Sequence, residues 1–344
     1  MLGLKAISSS LPLASTFRFV CAILFEMNRL LVICGPTGTG KTDLALSLAK
    51  KFNGELVSAD SRQVYVGMDI GTGKEVESAE LRVKSEKGKW VVNDIPIHLY
   101  DVVNPDERFS LAEYQQLALE RIKDVHSRNK LPILVGGTGL YIQAVTEGLK
   151  IPKVAPDQKL RDKLENQTLE DLLLELQKVD PAYFEKVDKN NKRRVVRALE
   201  VYQQTGEALS SLQKRYKVPF EILKIGLTCG RDQLYERNDN RVEKWFENGF
   251  VEEVKSLLKK YSIDLPAMTS LGYRQVAAYI KGNLGLNEAK QRIKFDFHGY
   301  IRRQLTWFKR DHNIYWYDIS VENLENEVVE LVSEWLNSPE SVRI

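Results

Sequence analysis

Short apolar segments alternate with amphipathic ones along the first part of the chain. The segment RLLVICG at residues 29–35 is a β-rich apolar run, which predicts a buried strand. In the next segment, KTDLALSLAKKF, Leu44, Leu48 and Phe52 recur at helical spacing. Two more apolar runs, GELVSAD and LPILVGG, predict strands, and Thr138 is placed to open the helix TGLYIQAVTEGL. This alternation favours an α/β fold with a parallel sheet and helices on both faces.

The pattern changes near Ile151. IPKVAP has the composition of a linker, and DQKLRDKLENQTLEDLLLELQKVD is strongly helical. NKRRVVRALEVYQQTG predicts a further helix that ends at Gly206. The strand pattern returns in FEILKIGLTC and in NIYWYDI, with helical segments between them, DQLYERNDNRVEKWFENGFVEEVKSLLKKY and NEAKQRIKFDFHGYIRRQLTWFKR. We therefore predict an α/β core over 29–150 and 216–338 and an inserted helical domain over 151–215.

The first 28 residues differ in composition from the rest of the chain. They are rich in Ser, and Glu26 is their only carboxylate. They contain no run of 18 apolar residues, so we expect no membrane span. The segment could be a targeting sequence or a disordered tail, or it could result from a start codon assigned too early, with the true start at Met27.

Charge and cysteine content limit the function classes only weakly. The net charge of +3 is too small to imply a partner by itself. Cys21, Cys34 and Cys229 are isolated, which argues against structural zinc and against a disulfide framework. Reduced thiols fit a cytosolic enzyme, and we expect it to be a monomer.

A phosphate-binding loop follows the first predicted strand. The pattern G-x-x-x-x-G-K-[ST] predicts that backbone N–H groups and a helix N-terminus surround phosphate oxygens, with a Lys charge and a hydroxyl that can ligate Mg²⁺. The pattern specifies a polyphosphate and does not by itself specify ATP. Its residues are Gly35, Pro36, Thr37, Gly38, Thr39, Gly40, Lys41 and Thr42.

The strand LPILVGG lacks the carboxylate that a nucleotide hydrolase of this kind uses to hold its metal. It ends in Gly136, Gly137 and Thr138, which weakens an ATPase interpretation without excluding it. Asp60 follows another strand, at the sheet edge where ligands of α/β proteins bind. It could be a helix N-cap or a general base beside the phosphate loop, and its spacing favours neither.

Seven segments in this order and spacing closely resemble the bacterial-type tRNA isopentenyltransferase family, the tRNA dimethylallyltransferases. They are GPTGTGKT, SADSRQVYVGMDIGTGK, GGTGLY, RRVVRALEVYQQTG, LYERNDNRVEKWFENGFVEEV, SLGYRQ and RRQLTWFKR, and the resemblance covers about residues 29–310. It implies transfer of a dimethylallyl group from dimethylallyl diphosphate to the exocyclic amine of the adenine 3′ to the anticodon in tRNA. It also implies a P-loop α/β core with an inserted helical tRNA-binding domain, in the cytoplasm and without a membrane.

The resemblance implies roles for individual residues. Residues Thr37 to Thr42 would bind the diphosphate, with Lys41 neutralising charge and Thr42 holding Mg²⁺. Asp60 would accept the proton of the amine. Arg237 and Arg241, which lie four apart on one helix, would clamp the diphosphate; from the residues alone, a solvated face paired with Glu236 or Glu243 is the alternative. Contact with the tRNA anticodon stem-loop is implied for Asp60, Ser61, Arg62, Gln63, Thr138, Arg161, Arg193, Arg194, Val195, Val196, Arg197, Ser270, Leu271, Gly272, Tyr273, Arg274, Gln275, Arg303, Gln304, Leu305, Thr306, Trp307, Phe308, Lys309 and Arg310.

Two basic segments support RNA contact. Residues 186–217 hold nine Lys or Arg against three Asp or Glu, and residues 290–312 hold seven against two. Solvated helix faces are the alternative explanation of such charge runs. The sequence departs from the family pattern at Phe297, His298 and Gly299, which replace polar residues. No C-terminal zinc finger of the eukaryotic type is present.

The sequence leaves three other functions open. A small-molecule P-loop kinase would need ATP turnover. An RNA-binding ATPase or regulator without chemistry of its own would bind RNA but would not need Asp60. A prenyltransferase of free adenine nucleotides would need no extended RNA surface, whereas the two basic segments favour such a surface.

Overall fold

The computed structural model describes residues 29–74, 83–152 and 154–338. The predictions about residues 1–28 and a start at Met27 fall outside these ranges. Within them the chain divides into two compact units. The first comprises residues up to 107, 120–139 and 219 onward, and the second comprises 108–119 and 140–218.

The first unit is built on one eight-stranded sheet. In chain order its strands are β1 (Arg29–Cys34), β2 (Gly54–Ser58), β3 (Val83–Glu86), β4 (Lys89–Val92), β5 (Ile95–His98), β6 (Leu131–Gly136), β7 (Glu221–Thr228) and β8 (Ile314–Asp318). Across the sheet their order is β3-β4-β5-β2-β6-β1-β7-β8. Five of the described pairings between neighbouring strands are parallel, and the other two, β3/β4 and β4/β5, are antiparallel. The predicted α/β class with a mainly parallel sheet is therefore confirmed.

All five strands that the hydrophobic pattern predicts are present as β1, β2, β6, β7 and β8. The central strands β1, β2 and β6 are buried along their whole length, as expected of parallel strands covered on both faces. The antiparallel strands β3 to β5 were not predicted. They are only four residues each, and Pro96 interrupts the pattern of the last one.

Eight of the described helices have bounds that lie at least partly in the first unit. Helix α1 (Lys41–Lys51) follows the phosphate loop. Val328, Val329 and Val332 of the last described helix pack into the same core as Leu44 and Leu48 of α1. Short 3₁₀ turns lie at Ile70–Thr72 and Ala267–Thr269. The helices are α1 (Lys41–Lys51), α2 (Leu111–Ser127), α3 (Gly139–Thr146), α9 (Arg231–Glu247), α10 (Phe250–Leu258), α11 (Tyr273–Ile280), α12 (Leu286–Phe308) and α13 (Leu324–Asn337).

The second unit is helical and wider than the predicted interval 151–215. It also contains residues 140–150, 216–218 and 108–119. The Gln115 amide donates to the carbonyls of Ala144 and Leu149 at 2.6 and 2.8 Å, and the rings of Tyr114 and Tyr141 are stacked at 3.7 Å. These contacts between distant segments are not visible in a local hydrophobic pattern. Its remaining helices are α4 (Gln158–Glu165), α5 (Leu169–Val179), α6 (Pro181–Phe184), α7 (Lys192–Thr205) and α8 (Leu209–Leu212).

Helix α7 ends at Gly206 as predicted. Gly206 has φ 72° and donates its N–H to the Tyr202 carbonyl, so it adopts the left-handed conformation typical of a helix end. Within the described ranges, no helix has both the length and the apolar character needed to cross a membrane.

Candidate active site

The phosphate loop connects the carboxyl end of β1 to the N-terminus of α1. Gly35 has φ 132°, and a Cβ atom there would lie 2.3 Å from the Leu227 carbonyl oxygen, so only glycine fits. Gly40 directly precedes α1 and has φ 75°. The Thr39 hydroxyl and the Lys41 ammonium both donate to the Pro36 carbonyl, at 3.0 and 2.6 Å. The loop therefore has the curled conformation that a phosphate-binding loop requires.

Burial and, to a lesser extent, the nearby Arg241 guanidinium lower the pKa of Lys41 to about 8, although the charge of Asp60 acts in the opposite direction. A buried cation next to another cation is poised to gain from an anionic ligand, because the ligand would compensate both charges.

Helix α9 presents both predicted arginines to the phosphate loop. Arg237 Nε donates to the Gly38 carbonyl at 2.8 Å, and Arg241 Nη1 donates to the Thr37 hydroxyl at 3.3 Å. The alternative of a solvated face paired with Glu236 or Glu243 loses its second partner, because Glu243 pairs with Lys290 and Lys294 of α12. The spacing of four residues thus places two cations over one loop.

Gln304 of α12 ties the phosphate loop to the end of β6. Its side-chain oxygen accepts from the Thr37 N–H at 3.0 Å, and its amide nitrogen donates to the Gly137 carbonyl at 2.9 Å. A Cβ atom on Gly137 would lie 2.4 Å from that nitrogen. The buried Gln304 side chain therefore fixes the phosphate loop through these two hydrogen bonds. The sequence predicts contact with RNA for Gln304 and does not predict this structural role.

Asp60 follows β2 and belongs to a turn. Its Oδ1 accepts from the Arg62 N–H at 2.8 Å, and the residues from Ser61 to Val64 form turns, so the helix N-cap alternative is wrong. Burial raises the pKa of Asp60, whereas hydrogen bonding to Arg62 and the charge of Lys41 lower it. A carboxylate with a raised pKa in a cavity is suited to proton transfer.

Thr138 joins the turn of Asp60 to helix α12. Its hydroxyl accepts from the Ser61 N–H at 3.1 Å and hydrogen-bonds to the Tyr300 side chain. Burial and the charge of Asp60 both raise the pKa of Tyr300, so its hydroxyl stays neutral at physiological pH.

Asp60, Lys41, Arg237 and Arg241 all line one cavity of about 650 Å³ in the first unit. Its polar side consists of the phosphate loop and the two arginines, and its other walls include aromatic side chains. Tyr100 and Trp245 were not predicted, although Trp245 follows Arg241 by four residues and therefore lies on the same helix face. The aromatic wall residues are Tyr100, Trp245, Phe297 and Tyr300.

The segment Ser270–Gln275 contributes to the cavity only through its first two residues. Ser270 and Leu271 line it, and Arg274 is exposed. Gly272 has φ 90° and packs on Phe250. Tyr273 is fully buried, and its hydroxyl donates to Glu253 at 2.7 Å, so the predicted direct RNA contact by Tyr273 is wrong. Gln275 is half-buried.

The segment Arg303–Arg310 alternates between buried and exposed positions, as a helix on a surface must. Phe308 is buried, so its side chain is not accessible to RNA. Leu305 is half-buried and packs beside Cys229 and Leu234, and its contact with RNA stays a prediction. The half-buried Trp307 ring lies against Gly139, where a Cβ atom would be 2.1 Å from it. The exposed residues of the segment are Arg303, Thr306, Lys309 and Arg310.

The departures from the family pattern are packed into the fold. Phe297 lines the cavity, and its ring lies 5.3 Å from that of Trp245. His298 Nε2 is 2.9 Å from Asp239 Oδ1, and its ring stacks on Tyr235 at 3.9 Å.

In the second unit, only part of the predicted RNA-contacting set is accessible. Val195 and Val196 lie in the core of the unit, so their predicted contact with RNA is wrong. In α7, Arg193 and Arg194 lie on the exposed face of the helix, and the helical periodicity places the next two side chains on the buried face.

Glu200 holds two further predicted residues. Arg161 donates to both of its oxygens at 2.9 Å, and Arg197 donates to Oε2 at 2.6 Å. Glu200 is fully buried; burial raises its pKa, but the hydrogen bonds from Arg161 and Arg197 bring that pKa below its ordinary value. Both arginines therefore stabilise the unit, and each remains about one-third exposed.

Comparison with known proteins identifies the family. The family model described as IPP transferase matches residues 63–311. A tRNA dimethylallyltransferase of Roseiflexus sp. (strain RS-1) is 42% identical over 317 residues, covering 91% of this chain and all of that protein. One of Thermomicrobium roseum is 44% identical over 84% of this chain and 85% of its own.

Solved structures agree with these relatives. The tRNA isopentenylpyrophosphate transferase from Bacillus halodurans is 36% identical, with a TM-score of 0.65 over 90% of this chain and 97% of its own. A eukaryotic dimethylallyltransferase acting on tRNA is 26% identical, with a TM-score of 0.73 over 92% of this chain and 81% of its own. The chain therefore belongs to the IPP transferase family.

Proposed function

We propose that this chain transfers a dimethylallyl group from dimethylallyl diphosphate to the exocyclic amine of the adenine 3′ to the anticodon in tRNA. The names of its relatives motivate the reaction. The observation that carries it is that Asp60 and the cations Lys41, Arg237 and Arg241 line one cavity. A carboxylate base together with a cluster of cations is what displacement of a diphosphate by an amine requires.

In the transfer, the adenine amine forms a bond to the first carbon of the dimethylallyl group as the bond from that carbon to the diphosphate breaks. Asp60 takes the proton that the amine loses. Because this amine is a poor nucleophile, the departing diphosphate must be well stabilised. Lys41, Arg237 and Arg241 supply that charge, and the diphosphate would offer Lys41 a charged acceptor in place of the Pro36 carbonyl.

The aromatic wall suits the allylic group. Tyr100, Trp245 and Phe297 are buried apolar surfaces beside the charged side of the cavity. An apolar wall excludes water from a carbon that carries partial positive charge in the transition state. The cavity thus combines one region for the diphosphate with another for the hydrocarbon.

Mg²⁺ would be held by the Thr42 hydroxyl together with diphosphate oxygens. Mg²⁺ commonly takes few protein ligands when it bridges to substrate phosphates. Over the described ranges, no group of three or more His, Cys, Asp and Glu side chains gathers, so the donors fit an ion shared with the substrate. When bound, the ion would add positive charge at the leaving group.

The sheet gives no support to the rival ATP-dependent functions. Strand β6 lies next to β1 and ends at Gly136, so it brings glycines to the phosphate loop. An ATP-hydrolysing enzyme of the P-loop class would place a metal-binding carboxylate at that position.

The test is to incubate the protein with an anticodon stem-loop RNA, dimethylallyl diphosphate and Mg²⁺, and to measure the RNA mass. We expect one dimethylallyl group on the adenine 3′ to the anticodon and no consumption of ATP. A parallel reaction with AMP at equal concentration separates RNA modification from prenylation of free nucleotides. Faster turnover of AMP, or ATP hydrolysis stimulated by RNA, would refute the proposal.

A further inference from the structure

One wall of the cavity is a short irregular segment, the 3₁₀ turn Ile70–Thr72 followed by Gly73. Gly71, Thr72 and Gly73 all line the cavity. Such a segment has few backbone hydrogen bonds of its own, so its position must be fixed by side chains.

Glu253 of α10 supplies those hydrogen bonds from outside the cavity. Its Oε2 accepts from the N–H groups of Asp69 and Ile70, at 3.0 and 2.7 Å. Its Oε1 accepts from the Gly71 N–H at 3.4 Å and from the Tyr273 hydroxyl at 2.7 Å. One carboxylate therefore satisfies three consecutive backbone donors at the start of the turn.

Lys74 holds the other end of the same segment. Its side chain is fully buried, and its ammonium donates to the Tyr65 carbonyl at 2.7 Å, to Asp69 at 2.9 Å and to Asp101. The turn is thus fixed at its start by an anion and at its end by a cation. Two aromatic rings also pack directly on the turn, since a Cβ atom on Gly71 would lie 2.4 Å from Phe250 and 2.6 Å from Tyr273.

The cavity side of this segment contacts Arg241. A Cβ atom on Gly73 would lie 2.0 Å from Arg241 Nη2, so the guanidinium rests directly on the Gly73 backbone. The same guanidinium donates to Thr37 of the phosphate loop and lies 5.5 Å from the Trp245 ring centre. Moving the turn by a few tenths of an ångström would change where this cation can lie.

We propose that Glu253 is a positioning residue, which fixes the Ile70–Thr72 turn and Gly73 so that Arg241 is held over the phosphate loop. This inference deepens the proposed function and rests on it for the role of Arg241. Glu253 lies outside the cavity and acts only through the turn. Its bond to Tyr273 also joins the turn to Ser270–Gln275, a segment predicted to contact RNA.

The experiment is a double-mutant cycle on binding of inorganic diphosphate, measured by calorimetry on the full chain. Glu253→Gln keeps the shape of the side chain but removes the charge and one acceptor. We expect affinity to fall roughly fivefold in the wild-type background and less than about twofold in the Arg241→Ala background. Glu252→Gln on the same helix is the matched control, because Glu252 is exposed and pairs only with Lys255 among the described residues.

Equal reductions of affinity in both backgrounds, or no reduction from Glu253→Gln, would overturn the inference. If Glu253→Gln melts at the assay temperature, Tyr273→Phe, which removes one donor to Glu253, takes its place and should show the same dependence on Arg241. A wild-type protein that binds no diphosphate would also overturn it. A protein that binds diphosphate and transfers no prenyl group would refute only the proposed function. The double-mutant cycle on diphosphate binding could still be interpreted.

Discussion

The guanidinium of Arg241 lies on the backbone of Gly73, where a Cβ atom would be 2.0 Å from Nη2. Gly73 also has φ 67°, a left-handed conformation that side chains disfavour. Two independent reasons thus require glycine at this position. The Arg241 guanidinium can therefore occupy its position in the cavity only because Gly73 has no side chain.

We predict that Gly73→Ala weakens binding of dimethylallyl diphosphate by about tenfold or more, because the methyl group must displace Arg241. Gly282→Ala is the matched control. Gly282 has a similar φ of 74° with nothing within 4 Å of its Cβ position, so it carries the backbone strain without the contact. Thermal melting of both variants measures the strain, which costs roughly 1–2 kcal/mol for a left-handed residue. Equal diphosphate affinities for the two variants would contradict the prediction.

Asp60→Asn should lower the transfer rate by about 10²–10⁴, the usual effect of removing a general base. The asparagine oxygen can still accept from the Arg62 N–H, so the turn is preserved and RNA affinity should change only a few-fold. Because burial raises the pKa of Asp60, the wild-type rate should increase with pH through that pKa, and the variant should not show this dependence. The measurement is single-turnover transfer across the pH range. A variant with the wild-type rate would reduce Asp60 to a structural residue.

Lys41 should make diphosphate binding depend on pH above about 8. Burial lowers its pKa from 10.5 to about 8, so above that pH the unliganded protein holds a neutral amine. Binding the anion must then take up a proton, and affinity should fall by up to about tenfold per pH unit. The pKa of Cys34 is raised by burial to about 12, so this thiol does not titrate in the same range.

Calorimetry in buffers of different ionisation enthalpy measures the proton uptake by Lys41. Lys41→Met, which cannot titrate, should bind more weakly and show no pH dependence between about 7 and 9. A pH-dependent affinity that persists in Lys41→Met would assign the effect to another group.

The sequence predicts the central sheet because fully buried parallel strands have continuous apolar patterns, as in Leu30 to Cys34. It also predicts Arg237 and Arg241 through their spacing and the family resemblance. It does not predict the role of Gln304 or Glu253, because both bond to backbone groups of distant segments. Such partners depend on the tertiary fold and leave no local pattern.

A sequence motif also does not show which of its side chains are buried. RRVVR reads as one basic segment, yet a helix turns Val195 and Val196 into the core while Arg193 and Arg194 face outward. SLGYRQ divides in the same way between the exposed Arg274 and the buried Tyr273. In both segments the resemblance identifies the motif, and the helical periodicity decides which side chains are accessible.

The exposed arginines of the second unit and those that pair with a buried carboxylate should therefore respond differently to substitution. Arg193→Glu with Arg194→Glu should weaken binding of the anticodon stem-loop and flatten its dependence on salt. For each arginine–phosphate ion pair that the substitutions remove, the slope of log affinity against log salt should decrease by about 0.7 for single strands. Affinity for dimethylallyl diphosphate should not change, because the hydrogen bonds described for the phosphate loop are made within the first unit.

Arg197→Ala with Arg161→Ala is the contrasting pair, because both residues compensate the fully buried Glu200. Removing the partners of a buried charge typically costs about 3–5 kcal/mol, and here somewhat less because both arginines reach water. This pair should therefore lower the melting temperature, whereas the Arg193 and Arg194 variant should not. Filter binding at several salt concentrations, with a melting curve for each variant, measures both effects. An unchanged salt slope in the Arg193 and Arg194 variant would remove α7 from the RNA-binding surface and leave its charges as a solvated helix face.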